Sequence, residues 1–302
     1  MSIYDVNGNG LSLAHDIDGA VLSMAYDSNG NVVFSPNINY NSFTETLLYN
    51  LKIGTQGTTV FDEYMFQVIA NTYKVNVYDL ETGDLISADI GGSYGHGDSI
   101  GFSNEYYNIN DPFPLLYSSA DDPTYIYVNR ISSKWSASLV HTLSFSPSVA
   151  GYYMSGVVDK ENNILYTTGY TNNNFQTDDG GANKIICCKY DLSDLTDNGN
   201  GTYTPVLLDI WTVDFLYCLQ GGDYHDGIMW WGSGYASGST MHVYGIDVTT
   251  KSLAYSLTLA DPYEPEGLAW IDNRSLLLSQ RINSSADSTY GTNYVRLDFE
   301  IA

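Results

Sequence analysis

The chain has 302 residues, 43% of them hydrophobic, enough for one large domain or two ordinary ones with a full core. Only 15% are charged, and 35 Asp and Glu against 11 Lys and Arg give a formal charge of −24, a field that repels phosphate backbones and anionic membranes. Nucleic acid and membrane surfaces are therefore excluded as partners. No window is apolar enough to span a bilayer, and Met1 to Gly10 lack the basic start and apolar run of a signal peptide. An extracellular role would require release by another route, such as lysis of an infected host.

In chain order, the first signal is a short repeat. Tyr4-Asp5-Val6-Asn7-Gly8 recurs as His15-Asp16-Ile17-Asp18-Gly19 and as Tyr26-Asp27-Ser28-Asn29-Gly30, each eleven residues on. Asn-Gly and Asp-Gly are hairpin turn signals, because both central residues must reach positive φ. The segment has too few apolar residues to fold alone, so residues 1–42 are expected to form a β-turn-repeat attachment segment. Asp5 to Asp16 also matches a calcium loop in outline, although the second repeat loses the pattern and no flanking helices are evident. Next, Glu45 to Ile53 reads as a strand able to complete the last blade of a ring and leave no open edge.

From there a longer period takes over. Strands ending in Asp and a turn recur at Asp79, Asp191, Asp247 and Asp298, at intervals of 112, 56 and 51 residues, with a degenerate copy at Tyr125 to Ile131 in the wide gap. Each unit is expected to open with an apolar or small-residue strand: Tyr64 to Ala70, Asp98 to Phe102, Tyr152 to Val158, Gly227 to Gly232 and Gly267 to Ile271. A second strand follows at Lys74 to Tyr78, Leu115 to Ser118, Ile164 to Gly169, Met241 to Tyr244 and Ser275 to Gln280. No 3.6-residue amphipathic pattern is present, which excludes a doubly wound α/β fold. The expected architecture is all-β: a five-bladed β-propeller over residues 43–302 behind the N-terminal segment. Cys187, Cys188 and Cys218 are too few for a disulfide framework and read as buried strand residues.

In a propeller the segments entering each innermost strand converge on one mouth of the channel. Three such segments are rich in glycine and polar groups: Ser93 to Asp98, Leu219 to Gly227 and Asp261 to Gly267. They supply His96, Asp98, Gln220, Asp223, Tyr224, Glu264 and Glu266 as candidate ligand-binding residues, with Trp231 as an aromatic platform and Trp230 and Tyr235 beside it. Asp98, Asp223 and Glu266 could together hold Ca²⁺, which takes carboxylates without strict geometry. Mutual hydrogen bonding in a narrow channel is the alternative role for the same groups. Catalytic signals are weak: carboxylate pairs such as Asp98 with Glu264 or Glu266 suit glycoside cleavage, but no Gly-x-Ser-x-Gly, His-Glu-x-x-His or P-loop occurs.

Gln220-Gly221-Gly222-Asp223, followed by Asp247-Val248-Thr249-Thr250 and Glu264-Pro265-Glu266-Gly267-Leu268, resembles the signature of the propeller shared by teichoic-acid biosynthesis protein C and receptor-binding proteins of phages of Gram-positive bacteria. The likeness covers Tyr217 to Gln280, and the N-terminal repeats resemble extensions on phage structural proteins. It implies a non-enzymatic tail-fibre protein of the virion that binds a host cell-wall glycan such as teichoic acid, assembles as a homotrimer and meets other tail subunits through its N-terminal segment. Two departures, the insert Thr171 to Ala182 and the hairpin Asp197 to Tyr203, imply a changed rim. A polysaccharide-degrading enzyme and a purely structural tail component are the competing readings.

Overall fold

The computed structural model describes residues 38–301 except 71, 236–239 and 283–290, together with the backbone of four short strands nearer the N terminus. Those four are β1 (Ile3–Tyr4), β2 (Gly10–Leu11), β3 (Leu22–Tyr26) and β4 (Val32–Pro36). β1 pairs antiparallel with β2, and β3 with β4, so the first and third sequence repeats fall between paired strands. The Asp5 to Asp16 calcium loop lies largely outside the described residues.

The remaining chain is a succession of four-stranded antiparallel meanders. The first runs β6 (Thr55–Phe61), β7 (Tyr64–Ile69), β8 (Lys74–Asp79) and β9 (Leu85–Ser87). The second runs β10 (Ile100–Phe102), β11 (Leu116–Ser119), β12 (Tyr125–Ser133) and β13 (Ser136–Ser144), and the third runs β14 (Tyr152–Asp159), β15 (Ile164–Tyr170), β16 (Lys184–Asp197) and β17 (Thr202–Asp214). These two join into one eight-stranded sheet through a short parallel pairing, Thr142 with Thr202 and Leu143 with Tyr203. β18 (Leu219–His225), β19 (Ile228–Ser233), β20 (His242–Asp247) and β21 (Ser252–Thr258) form the next sheet. The last contains β22 (Glu264–Trp270), β23 (Ser275–Ile282) and β24 (Gly291–Ile301), completed from the other end of the chain by β5 (Ile38–Leu51). This pairing, from Ile38 with Ile301 to Leu51 with Thr292, is the closing strand read from the sequence around Glu45, and it begins ahead of residue 43.

The recurring Asp lies in the third strand of its meander in each case, and Asp79 and Asp247 end theirs. Asp79 accepts backbone N–H bonds from Glu81 and Thr82, and Asp247 from Thr249 and Thr250, local turns that stop the strand. Two of the expected strand orders shift by one. Tyr64 to Ala70 and Gly227 to Gly232 contain second strands (β7 and β19), and Lys74 to Tyr78 and Met241 to Tyr244 third strands (β8 and β20). The true first strands there, Thr-Gln-Gly-Thr-Thr-Val-Phe and Leu-Gln-Gly-Gly-Asp-Tyr-His, carry little apolar signal because small residues are required where they meet other backbones, as at Gly57 and Gly221.

Each first strand touches the next, from β6 through β10, β14, β18 and β22, and β22 returns to β6. Five apolar clusters sit between successive meanders. Phe66, Val68, Ile100 and Leu116 join the first to the second, while Met65 and Tyr78 meet Ala269, Leu277 and Tyr294 between first and last. Neighbouring residues of β7 thus face opposite partners, so the strand is apolar on both sides and reads as a continuous hydrophobic run. At the centre the backbones close up. Gly57 N donates to Gly97 O at 2.8 Å, and a Cβ at Gly221 would lie 2.4 Å from Glu266 O and 2.5 Å from Asp98 O. Among the described residues no helix is long and apolar enough to cross a membrane.

Gly221→Ala must therefore push β18 away from β22 and from the segment that leads into β10. It is expected to destabilise by about 1–3 kcal/mol in a denaturant titration. Gly101→Ala, whose Cβ meets nothing within 4 Å, serves as the control and should leave the midpoint nearly unchanged.

Candidate functional site

One mouth of the ring holds a cavity of about 550 Å³, within the range of ligand pockets. Its floor comes from the starts of the first strands: Gln56 of β6, Asp98 before β10, Ser155 of β14, Gln220 of β18, and Glu264 and Glu266 of β22. Arg281 of β23 and Ser119 of β11 join them, and Tyr152, Tyr153, Phe175 and Tyr235 form the walls.

The floor is a connected network. His96 Nδ1 lies 2.6 Å from Asp98 Oδ1. With its amide oriented by its neighbours, Gln56 donates to Asp98 Oδ1 at 3.0 Å and to Glu266 Oε2 at 3.2 Å. Glu266 Oε1 accepts from Arg281 Nη1 at 3.2 Å, and Glu264 Oε1 accepts from Gln220 Nε2 at 3.0 Å. The His96 loop is pinned from both sides, because Gly97 N donates to Ser119 O while Gly97 O accepts from Gly57. Ser119 lines the cavity as a buried residue, and its hydroxyl is without a hydrogen-bond partner.

Two groups are strongly perturbed. Burial, reinforced by the Glu264 and Asp98 carboxyl groups, raises Glu266 from 4.5 to about 8, outweighing the ion pair with Arg281. The hydrogen bond to Asp98, followed by the nearby Glu266 and Asp121 charges, raises His96 against the opposing effect of burial. The floor therefore combines a carboxyl group raised above the usual carboxylate range, a histidine whose protonated form is favoured, and amide and guanidinium donors in close reach.

Of the sequence candidates, His96, Asp98, Gln220, Glu264 and Glu266 meet in this cavity. Asp223, Tyr224 and Trp231 do not line it. Asp223 lies three residues beyond Gln220, roughly 10 Å along the strand. Its oxygens accept from Tyr224 N at 2.8 Å and Trp270 N at 2.9 Å, so it ties the fourth meander to the fifth. Burial raises its carboxyl to about 6. Tyr224 stacks on Tyr166 at 5.3 Å, and Trp231, like Trp230, is fully buried in a core cluster rather than presented as a platform. Asp98 and Glu266 are thus without Asp223 as a third ligand. Among the described residues no group of three or more His, Cys, Asp or Glu side chains has the spacing of a metal site.

Sequence reasoning missed Gln56, Ser119 and Arg281. Arg281 carried a usable signal, a charge ending the run Leu276-Leu277-Leu278-Ser279-Gln280 in a buried strand. The insert Thr171 to Ala182 does reach the rim, bringing Asn173 and Phe175 to the cavity. Cys218 N donates to Phe175 O at 2.9 Å, and the buried Asn183 amide donates to Thr177 O at 3.1 Å, fixing the insert in place.

No protein-family model matches the chain, and no curated protein matches it. Among solved structures, glutaminyl cyclase from Myxococcus xanthus is similar with a TM-score of 0.51 and 12% identity, covering 85% of this chain and 98% of that one. The PQQ-bound aldose sugar dehydrogenase of Streptomyces coelicolor gives 0.48 at 12% identity, over 88% of this chain and 100% of that one. The WD40 domain of Toxoplasma gondii coronin gives 0.43 at 8%, over 88% and 89%. The likeness is one of fold, an all-β arrangement of the propeller kind, and its bearers include enzymes.

The raised carboxyl makes a pH prediction with a definite sign. Between the ordinary value of 4.5 and about 8 the folded state holds a proton on Glu266 that the unfolded chain has released, so stability falls as pH rises through that window. His96, also raised, contributes in the same direction. Glu266→Gln should flatten the decline in unfolding free energy between pH 5 and 8, by up to about 1.4 kcal/mol per pH unit. An unchanged slope in the folded variant would show that Glu266 is ionised throughout.

Proposed function

We propose that the chain is a five-bladed propeller that recognises a host cell-surface glycopolymer through the mouth cavity, in the manner of a phage tail receptor-binding protein, without cleaving it. The observation that carries this reading is the cavity's division of labour. A floor of hydrogen-bonded carboxyl, amide, imidazole and guanidinium groups lies under walls of Tyr152, Tyr153, Phe175 and Tyr235. Saccharides present hydroxyls along their edges and C–H faces above and below, and such a pocket matches both. The five meanders, each first strand touching the next and the last returning to the first, support the blade number. The resemblance of the Gln220 to Leu268 segments supports the tail-protein role, with the N-terminal repeats as the attachment to other subunits of a trimeric assembly.

One observation favours a second reading, a polysaccharide-degrading enzyme. Burial and the neighbouring Glu264 and Asp98 carboxyl groups raise Glu266 above the usual carboxylate range, the kind of perturbation a general acid requires. The similar enzymes named above add nothing to this beyond fold.

Incubating the protein with cell walls from a panel of Gram-positive bacteria separates the two. Retention on at least one wall without release of soluble saccharide is the expected result; released oligosaccharide that disappears in Glu266→Gln would replace it with the enzymatic reading. In folded variants, Asp98→Ala and Gln220→Ala should weaken retention by roughly 5- to 150-fold, because each leaves a buried partner unpaired. Leu207→Ser, on the exposed outer strand β17, should leave retention unchanged.

A further inference from the structure

The walls of the cavity are more specific than saccharide stacking alone requires. The Tyr153 and Phe175 rings meet edge to face at 4.7 Å and 72°, and Phe175 meets Tyr235 at 5.9 Å and 76°, so the three rings form one aromatic cluster in the cavity lining. Tyr153 and Tyr235 stay 50% and 47% exposed, which distinguishes them from the buried aromatic pairs of the core. Tyr153 also holds a backbone φ of +54°, a conformation unfavourable for a bulky residue and retained where the surroundings enforce it.

The surroundings of this aromatic corner are electronegative. Asp98, Asp121 and Glu264 line the same cavity. Its two cationic groups both pair inside the cavity, Arg281 with Glu266 and His96 with Asp98, and the four carboxyl groups of the lining outnumber them. Aromatic faces attract cations through the ring quadrupole, and this cluster stands beside the carboxyl groups of the same cavity. A negatively charged ligand group meets the opposite field, from the carboxylates and from a chain of net charge −24.

We infer that the cavity takes a ligand group bearing a positively charged nitrogen, seated among Tyr153, Phe175 and Tyr235 above the carboxyl groups. The inference rests on the glycan-binding reading and deepens it: the polymer recognised is one decorated with an ammonium group, either a quaternary alkylammonium or the free amine of an amino sugar. Its anionic phosphates, if it has them, stay outside the mouth.

Calorimetric titration of the full chain at neutral pH and low salt tests this with two matched pairs: choline against the neutral 3,3-dimethylbutan-1-ol, and glucosamine against N-acetylglucosamine. At least one cation should bind tenfold or more tightly than its neutral counterpart, and Phe175→Leu should remove most of that advantage without lowering the melting temperature. A choline preference identifies the quaternary group as the decoration, and a glucosamine preference the free amine. Equal binding of cation and neutral counterpart, or heat from none of the four while cell-wall retention persists, overturns the inference and leaves the glycan reading in place. Cation-selective binding in a protein that no cell wall retains supports the inference about the cavity and overturns the glycan reading. If Phe175→Leu does not fold, Tyr153→Leu carries the same comparison.

Discussion

The approach of backbone to backbone at the centre of the ring is the constraint on which the rest depends. Strands narrow enough to meet there have no room for side chains at the contact, and glycine is the residue that permits it. Gly57 sits against Gly97 O, Gly221 against Glu266 O and Asp98 O, and Gly267 against Thr58 N. Because these contacts join first strands far apart in sequence, they fix the relative height of each strand, and with it the positions of Gln56, Asp98, Gln220 and Glu266 just above. The apolar clusters between meanders supply most of the burial, and the central glycines determine which groups share the mouth.

That geometry creates an electrostatic difficulty which the site turns into chemistry. Three carboxyl groups from two meanders converge in a buried space where ionising all of them is unfavourable. Arg281 and Gln56 each serve Glu266, Gln220 serves Glu264, and His96 serves Asp98, yet burial still raises Glu266 above the usual carboxylate range. Burying polar groups is tolerable when they find partners, and here Gln56 and Gln220 carry the partnerships across meander boundaries. The same network therefore helps hold the ring closed and keeps donors and acceptors aimed into the cavity.

How much of this the sequence disclosed depends on what each residue packs against. The repeated Asp after a Tyr or Ile was visible because it makes local turns, as Asp79 and Asp247 do, independent of the rest of the chain. β7 and β23 were visible because burial on both faces gives unbroken apolar runs. β6 and β18 were misplaced because the requirement at their positions is for small residues and backbone contact, which hydrophobic pattern does not register. Gln220 and Glu266 were found beside glycines, whereas Asp223, Tyr224 and Trp231, equally suggestive in sequence, lie further along their strands or on faces turned into packing. Side-chain direction within a strand alternates with every residue, so a motif spanning several residues cannot place all of them at one mouth. Arg281 and Ser119 arrive from second strands, a distance in sequence that no local motif spans.

The most direct test of the central claim is a crystal structure of the protein soaked with a purified repeat unit of a cell-wall polymer that it retains. Ordered density inside the mouth cavity, within hydrogen-bond distance of Gln56, Asp98 or Glu266 and against the Phe175 ring, is the predicted result. Density confined to the outer strands, with the mouth cavity unaltered, would contradict it.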